Sequence, residues 1–181
     1  MNAPPAPIPP AGLSRVAILI SGAGSNMVRL VQMLQAPGSS GEAVCVVSDD
    51  PDAAGLERAQ ALGVPTAVVE GQAHRGDRAG FDAALARALA PHVPDLLCLA
   101  GFMRILGAEF VTARAGRILN IHPSLLPAFR GLDTHARALA AGAAEHGCTV
   151  HLVTPALDDG PVLGQARVPV HPGDTPATLA A

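Results

Sequence analysis

The sequence predicts an α/β protein: an open, mostly parallel, twisted sheet with helices on both faces and antiparallel last strands. Strand-length apolar runs alternate with segments of helical periodicity from residue 15 onward. That is the pattern of repeated strand–helix–strand units, whose crossovers put helices on both faces of a sheet. The strands read as continuous apolar runs, as parallel strands buried on both sides do. The last two are joined by a short loop, which requires an antiparallel pair.

The elements follow in order. Residues 15–21 (RVAILIS) form a buried strand, and 25–35 a helix with Met27, Leu30, Val31 and Leu34 at helical spacing. Residues 42–48 are the second strand, 53–62 a helix closed by Gly63, and 65–69 a short third strand. Residues 77–91 form a helix capped by Asp77, with Phe81, Leu85 and Leu89 on one face. A fourth strand at 95–100, a short helix at 107–114 and a fifth strand at 117–120 come next. A helix at 134–141 precedes the final strands, 148–154 and 161–170, which flank the Asp158 loop. Residues 1–14, opening MNAPPAPIPP, read as a disordered or polyproline tail, with neither the basic start nor the apolar stretch of a signal peptide. Residues 15–181 then form a single domain.

Composition narrows the function. The chain is 49% hydrophobic and 15% charged, which makes it globular. With four Phe and neither Trp nor Tyr, it lacks the aromatic platforms that stack bases. A net charge of −3 gives no electrostatic reason to expect nucleic acid or an anionic membrane as partner. Cys45, Cys98 and Cys148 fall in strands without a CxxC pair, so they read as small hydrophobes in a reducing, cytoplasmic compartment, and no metal site is expected.

In open parallel sheets ligands bind beyond the carboxyl ends of the strands. Three motifs fall there: SGAGSN at 21–26, AGFMRIL at 100–106 and NIHPSLLP at 120–127. In the first, glycines permit close backbone approach, and the following helix offers free N–H groups to a phosphate. It also reads as a plain turn with Ser25 as N-cap. A dinucleotide fingerprint would need a third glycine where Met27 stands. Met103, Arg104, Ile105 and Leu106 form an apolar loop that lines a pocket or packs, with packing expected of Ile105 and Leu106. Arg78 reads as a solvated first-turn residue.

Asn120 and His122 stand two apart at a strand end, and such residues point to the same side. An Asn can donate to an oxyanion, a His can shuttle a proton, and a carboxylate stabilises an imidazolium. The loop LDDGP at 157–161 supplies the carboxylate, although turn chemistry alone also favours Asp there. A lone His before Pro123 would be structural. With the Asn, the PSLLP turn and the Asp loop it is assigned to catalysis. His135 and His151 are expected near the site without a catalytic role.

These motifs, in this order, resemble the folate-dependent formyltransferases. SGAGSN and GLDTH at 131–135 narrow the resemblance to the phosphoribosylglycinamide formyltransferase branch. It runs from about Arg15 to the last residue. It implies a Rossmann-like fold and an enzyme that moves a formyl group from 10-formyltetrahydrofolate to the amine of 5-phosphoribosylglycinamide in purine synthesis. The alternatives are a formyltetrahydrofolate deformylase and a non-catalytic folate- or nucleotide-binding domain. The resemblance makes Asn120, His122 and Asp158 catalytic and assigns glycinamide ribonucleotide to Gly24, Ser25 and Asn26. It assigns the folate to Arg78, Met103, Arg104, Ile105, Leu106 and Asn120, with backbone groups of 103–106 reading the pterin edge. It implies no metal, and a monomer or homodimer. Thr149 matches a small hydroxyl residue that holds an ordered water, and Asp159 stands where the family commonly has Gly. Residues 174–181 look like the capped start of a helix that the family continues into the ribonucleotide site. A truncation there would uncover apolar sheet surface.

Overall fold

The computed structural model describes residues 12–180. Most of the Pro-rich tail expected over 1–14 lies outside the described residues. Two compact units divide between Ile118 and Leu119.

The first unit contains β1 (Ser14–Ile20), α1 (Ser25–Leu34), β2 (Gly41–Ser48), α2 (Ala54–Ala61), β3 (Thr66–Val68), α3 (Arg78–Leu89), β4 (Leu96–Leu99) and α4 (Ala108–Thr112). Its strands lie in the order β3-β2-β1-β4, all parallel. The continuous apolar runs explain this arrangement. Ala17, Ile18, Leu19 and Ile20 are fully buried, so both faces of β1 are covered. Met27 and Val31, one helical turn apart on α1, pack with Ile18, Ile20, Val46 and Ala59 into one cluster. Each aliphatic side chain buried this way contributes about 1.5–3 kcal/mol relative to exposure.

The clearest departures from the expected elements lie at α3 and just before it. The helix expected over 77–91 is α-helical only to Leu89 and continues as a 3-10 turn, Ala90–His92. Pro91 has no N–H to donate to the fourth residue back, which ends the α-ladder. Asp77 caps α3 as expected, its carboxylate accepting the Gly80 N–H at 2.8 Å. A further 3-10 turn, Gln72–His74, was not anticipated.

The second unit contains β5 (Ile118–His122), whose first residue closes the first unit, then α5 (Thr134–Ala140), β6 (Glu145–Leu152), β7 (Val162–Pro169) and α6 (Pro176–Leu179). β6 pairs antiparallel with both β5 and β7. It begins three residues earlier than expected. Glu145, His146 and Gly147 have poor strand character, but the ladder to Pro169, Val168 and Arg167 recruits them. An exposed Arg167–Glu145 ion pair at 3.1 Å accompanies it. The register to β7 shifts between Val150 and His151, and β6 ends at Leu152, whose N–H turns to the Pro161 carbonyl at 2.9 Å. β7 is exposed along its length, including Val162, Leu163 and Val168. Residues 174–179 do form a capped helix start, in which Thr175 and Thr178 make a reciprocal capping box.

Among the described residues, no helix is long and apolar enough to cross a membrane. Burial pushes the thiols of Cys45 and Cys98 up to about 11, so at pH 7.5 fewer than about one in a thousand is thiolate. Iodoacetamide at pH 7.5 is expected to leave both unmodified in the folded protein and to label them after denaturation. Peptide mapping by mass spectrometry checks this, and equal labelling in the two states would contradict it.

Candidate active site

In the second unit the β5–β6 register sets Asn120 opposite His151 and His122 opposite Thr149. Directly opposed residues share a face, and so do i and i+2, so all four side chains stand on one side of the ladder. The Asn120 Nδ2 lies 3.1 Å from His151 Nε2. His151 Nδ1 lies 2.9 Å from the Leu152 carbonyl, which can only accept, so Nδ1 carries the proton. His151 Nε2 is therefore the acceptor, and Asn120 donates one of its two amide hydrogens to it. This fixes the amide orientation and leaves the second N–H unassigned.

Each ring nitrogen of His122 faces an acceptor. Nε2 lies 3.1 Å from the Phe129 carbonyl, and Nδ1 lies 3.4 Å from Asp158 Oδ2, an ion-pair distance. Both side chains are more than nine-tenths buried, at 7% and 8% exposure, so the contact is little screened by solvent. A singly protonated imidazole could satisfy one acceptor, whereas an imidazolium satisfies both. Asp158 also accepts the Gly131 N–H at 2.9 Å, and its Oδ1 stands 3.8 Å from His151 Nε2, beyond a hydrogen bond. Asp158 sits at φ 49°, a left-handed conformation that Asp tolerates. Asp159 points the other way, to an exposed ion pair with Arg130. The side chain at the position where glycine is common is thus accommodated on the surface.

The first unit carries the other predicted residues. Gly24, Ser25 and Asn26 line a crevice of about 260 Å³ with Ser21, Gly22, Gly101 and Met103. The N-cap of α1 is Gly24 at φ 70°, not Ser25, which is the first helical residue. A Cβ on Gly24 would meet Gly55 Cα and Met27 Cε at 3.0 Å. A side chain there would be strained and crowded, and the start of α1, where backbone N–H groups lack helical partners, lines the crevice. Gly55, at the start of α2, escaped the sequence reading. Its Cβ would lie 2.8 Å from the Gly22 carbonyl oxygen and 2.5 Å from Ile20 Cδ1. Gly55→Ala must therefore displace backbone of the crevice wall, and it is expected to weaken binding of a phosphate-bearing ligand about tenfold. Isothermal titration checks this, and unchanged affinity would contradict it.

The 103–106 segment is held at both ends. The Met103 N–H donates to Ser21 Oγ at 2.8 Å, and the Gly107 N–H donates to Asp82 Oδ2 at 2.8 Å. Burial raises the Asp82 pKa, opposed by that backbone bond and by nearby Arg78, Arg114 and Arg104. Of the two residues expected to pack, Leu106 is buried, while Ile105 is 54% exposed. Met103 is exposed beside the crevice. The Arg104 guanidinium lies over the Phe81 ring at 4.4 Å, so its side chain packs inward. Arg78 is exposed at the first turn of α3. Among the described residues, no group of three or more His, Cys, Asp or Glu is placed to hold a metal ion.

An amide, an imidazole and a carboxylate gathered at a strand end of an α/β fold can stabilise an oxyanion and move a proton. Residues 14–181 match the family model described as formyl transferase, and the chain belongs to that family. Phosphoribosylglycinamide formyltransferase of Escherichia coli (strain K12) is 46% identical over 160 residues, covering 88% of this chain and 75% of that protein. The trifunctional purine biosynthetic protein adenosine-3 of Bos taurus is 45% identical over 166 residues, covering 92% of this chain. The chain spans 16% of that relative's length. The crystal structure of phosphoribosylglycinamide formyltransferase from Brucella melitensis is similar at a TM-score of 0.87 with 51% identity, covering 93% of this chain and 86% of that one.

Proposed function

We propose that this chain transfers the formyl group of 10-formyltetrahydrofolate to the primary amine of 5-phosphoribosylglycinamide, a step of purine biosynthesis. The observation that carries the reading is the buried His122–Asp158 pair beside the amide of Asn120. The names of the E. coli and Brucella relatives supply the substrate class.

In the first step the amine attacks the formyl carbon. A carbon–nitrogen bond forms, and the carbonyl electrons collect on oxygen. The unassigned Asn120 N–H and the His122 imidazolium donate to that oxyanion. The Nδ1 side of His122 stays with Asp158, and the Nε2 side exchanges the Phe129 carbonyl for the substrate oxygen. In the second step the bond to the folate nitrogen breaks. The proton lost by the attacking amine reaches that nitrogen through His122 or water, giving tetrahydrofolate and the formylated ribonucleotide. Free N–H groups at Gly24, Ser25 and Asn26 take the acceptor's phosphate. The backbone of Met103, Arg104, Ile105 and Leu106 reads the pterin, and Arg78 and Asn120 also contact the folate. The reaction belongs in the cytoplasm, and the three free thiols suit a reducing compartment.

The test is a transfer assay on the purified chain with 10-formyltetrahydrofolate, with and without glycinamide ribonucleotide. Folate absorbance and product mass are followed. Formylated product only with the ribonucleotide is expected. Formate release without it would instead mark a deformylase, and binding without turnover a non-catalytic domain.

A further inference from the structure

We propose that Gln165 is a positioning residue for His122, acting through Thr149 and the turn that follows β5; the proposal rests on the formyl-transfer reading of that site. The strand registers put the three residues in one row: His122 opposite Thr149, and Thr149 opposite Gln165. They share a face of the ladder.

Thr149 is fully buried, and its hydroxyl is saturated. It donates to the Ser124 carbonyl at 2.6 Å and accepts the Leu126 N–H at 3.0 Å and a Gln165 amide hydrogen at 3.0 Å. One donor and two acceptor sites are all a hydroxyl has, so Thr149 keeps no bond for the ordered water suggested by resemblance. Gln165 Nε2 spends its other hydrogen on the Leu126 carbonyl at 2.8 Å. Both backbone groups of Leu126 are therefore pinned, one by each side chain.

The turn carries this constraint to the imidazole. Ser124, fully buried, takes the His122 carbonyl on its N–H at 2.9 Å, and its hydroxyl donates to the Ala128 carbonyl at 2.7 Å. The next carbonyl, Phe129, is the Nε2 partner of His122. Phe129 holds it there from a left-handed conformation, φ 55°, which an aromatic residue keeps only when its surroundings impose it. Gln165 is the outermost member of a continuous set of bonds that ends on the catalytic ring. Removing its amide leaves the Leu126 carbonyl and one Thr149 lone pair without partners at nearly dry positions, so the turn must shift.

The experiment compares wild type, Q165L, Q165E, T149V and T149V/Q165L as full chains, each checked for folding by circular dichroism. Leu removes the donors, and ionised Glu keeps the length but can only accept. Q165L and Q165E are each expected to lower kcat about tenfold, with KM for both substrates within about twofold. The pH dependence of kcat moves with them. In the T149V background Q165L is expected to cost less than it does alone, because the two side chains share a hydrogen bond and hold the same residue, Leu126. The His122 imidazole titration, followed by NMR and assigned with H122N, is displaced in Q165L. A purely structural amide would move neither the pH profile nor that titration. A folded Q165L with kcat, pH profile and His122 titration all matching wild type overturns the proposal. If wild type shows no transfer, the formyl-transfer reading fails instead, and the titration alone decides whether Gln165 positions the ring.

Discussion

His122→Ala is expected to lower kcat for the proposed formyl transfer by about 10³-fold, with KM for each substrate within a few-fold. The expectation follows from the role proposed for the imidazole at the oxyanion and in proton transfer. Loss of one preorganised donor costs about 10²–10³ in kcat, and loss of a positioned proton carrier costs a further factor. Together they correspond to about 4 kcal/mol of transition-state stabilisation. The side chain is almost fully buried, and its removal strands the Asp158 carboxylate, itself 8% exposed, without its partner. His122→Asn is therefore the companion variant, since it keeps a polar group in the space. Asp158→Asn tests the other half of the pair. It preserves shape and the Gly131 contact but removes the negative charge that favours the imidazolium. Its loss should be smaller than that of His122→Ala, and the two should not add in the double variant, because each disables the same pair. Steady-state kinetics on folded variants provide the check. A folded His122→Ala protein with near-wild-type kcat would remove the imidazole from the mechanism.

What the sequence made legible was local. The apolar runs of β1 and β2 could only be buried strands, and their burial follows. Asp77 signalled the start of α3 because a cap bond spans three residues. Asn120 and His122 could be placed together because two residues along a strand always share a side. The misses concern partners far apart in sequence. Gly55 reads as an ordinary small residue, yet the close approach of the two helix starts leaves no room for its Cβ. The motif spelling pointed to Ser25 as the cap, but the cap is Gly24, left-handed at φ 70°, where a side chain would also crowd Met27 and Gly55.

Residues of the second unit show the same limit. The sequence places His151 near the site but offers no partner for it. Its role emerges only once β6 sets it opposite Asn120. Gln165 lies 43 residues beyond His122, and nothing short of the three-strand register connects them. The early start of β6 is likewise a property of its partner, since no isolated Glu-His-Gly segment has strand character.

Asn120→Ala is the second substitution expected to have a large effect, about 10²-fold on kcat with little change in substrate affinity. Its amide is not free to rotate. The Leu152 carbonyl claims the proton on His151 Nδ1, so His151 Nε2 offers a lone pair, and the amide must present nitrogen to it. A flipped amide would set oxygen against that lone pair. One N–H is consumed in this contact, and the other, held in a fixed direction, is the donor proposed for the oxyanion. Preorganisation of this kind is worth most at a site where few water dipoles compete. Asn120→Asp discriminates the donor role from simple space filling. An ionised Asp has the same shape but can only accept, so it opposes both His151 Nε2 and a developing oxyanion. It should be at least as damaging as Ala. His151→Phe removes the lock while sparing the donor, and its loss should be smaller, about tenfold. The kinetic order Asn120→Asp at or below Asn120→Ala, and both below His151→Phe, is the signature of a fixed amide donor. An Asp variant that outperforms Ala, or an Ala variant within twofold of wild type, would show that the transition state draws nothing from this amide.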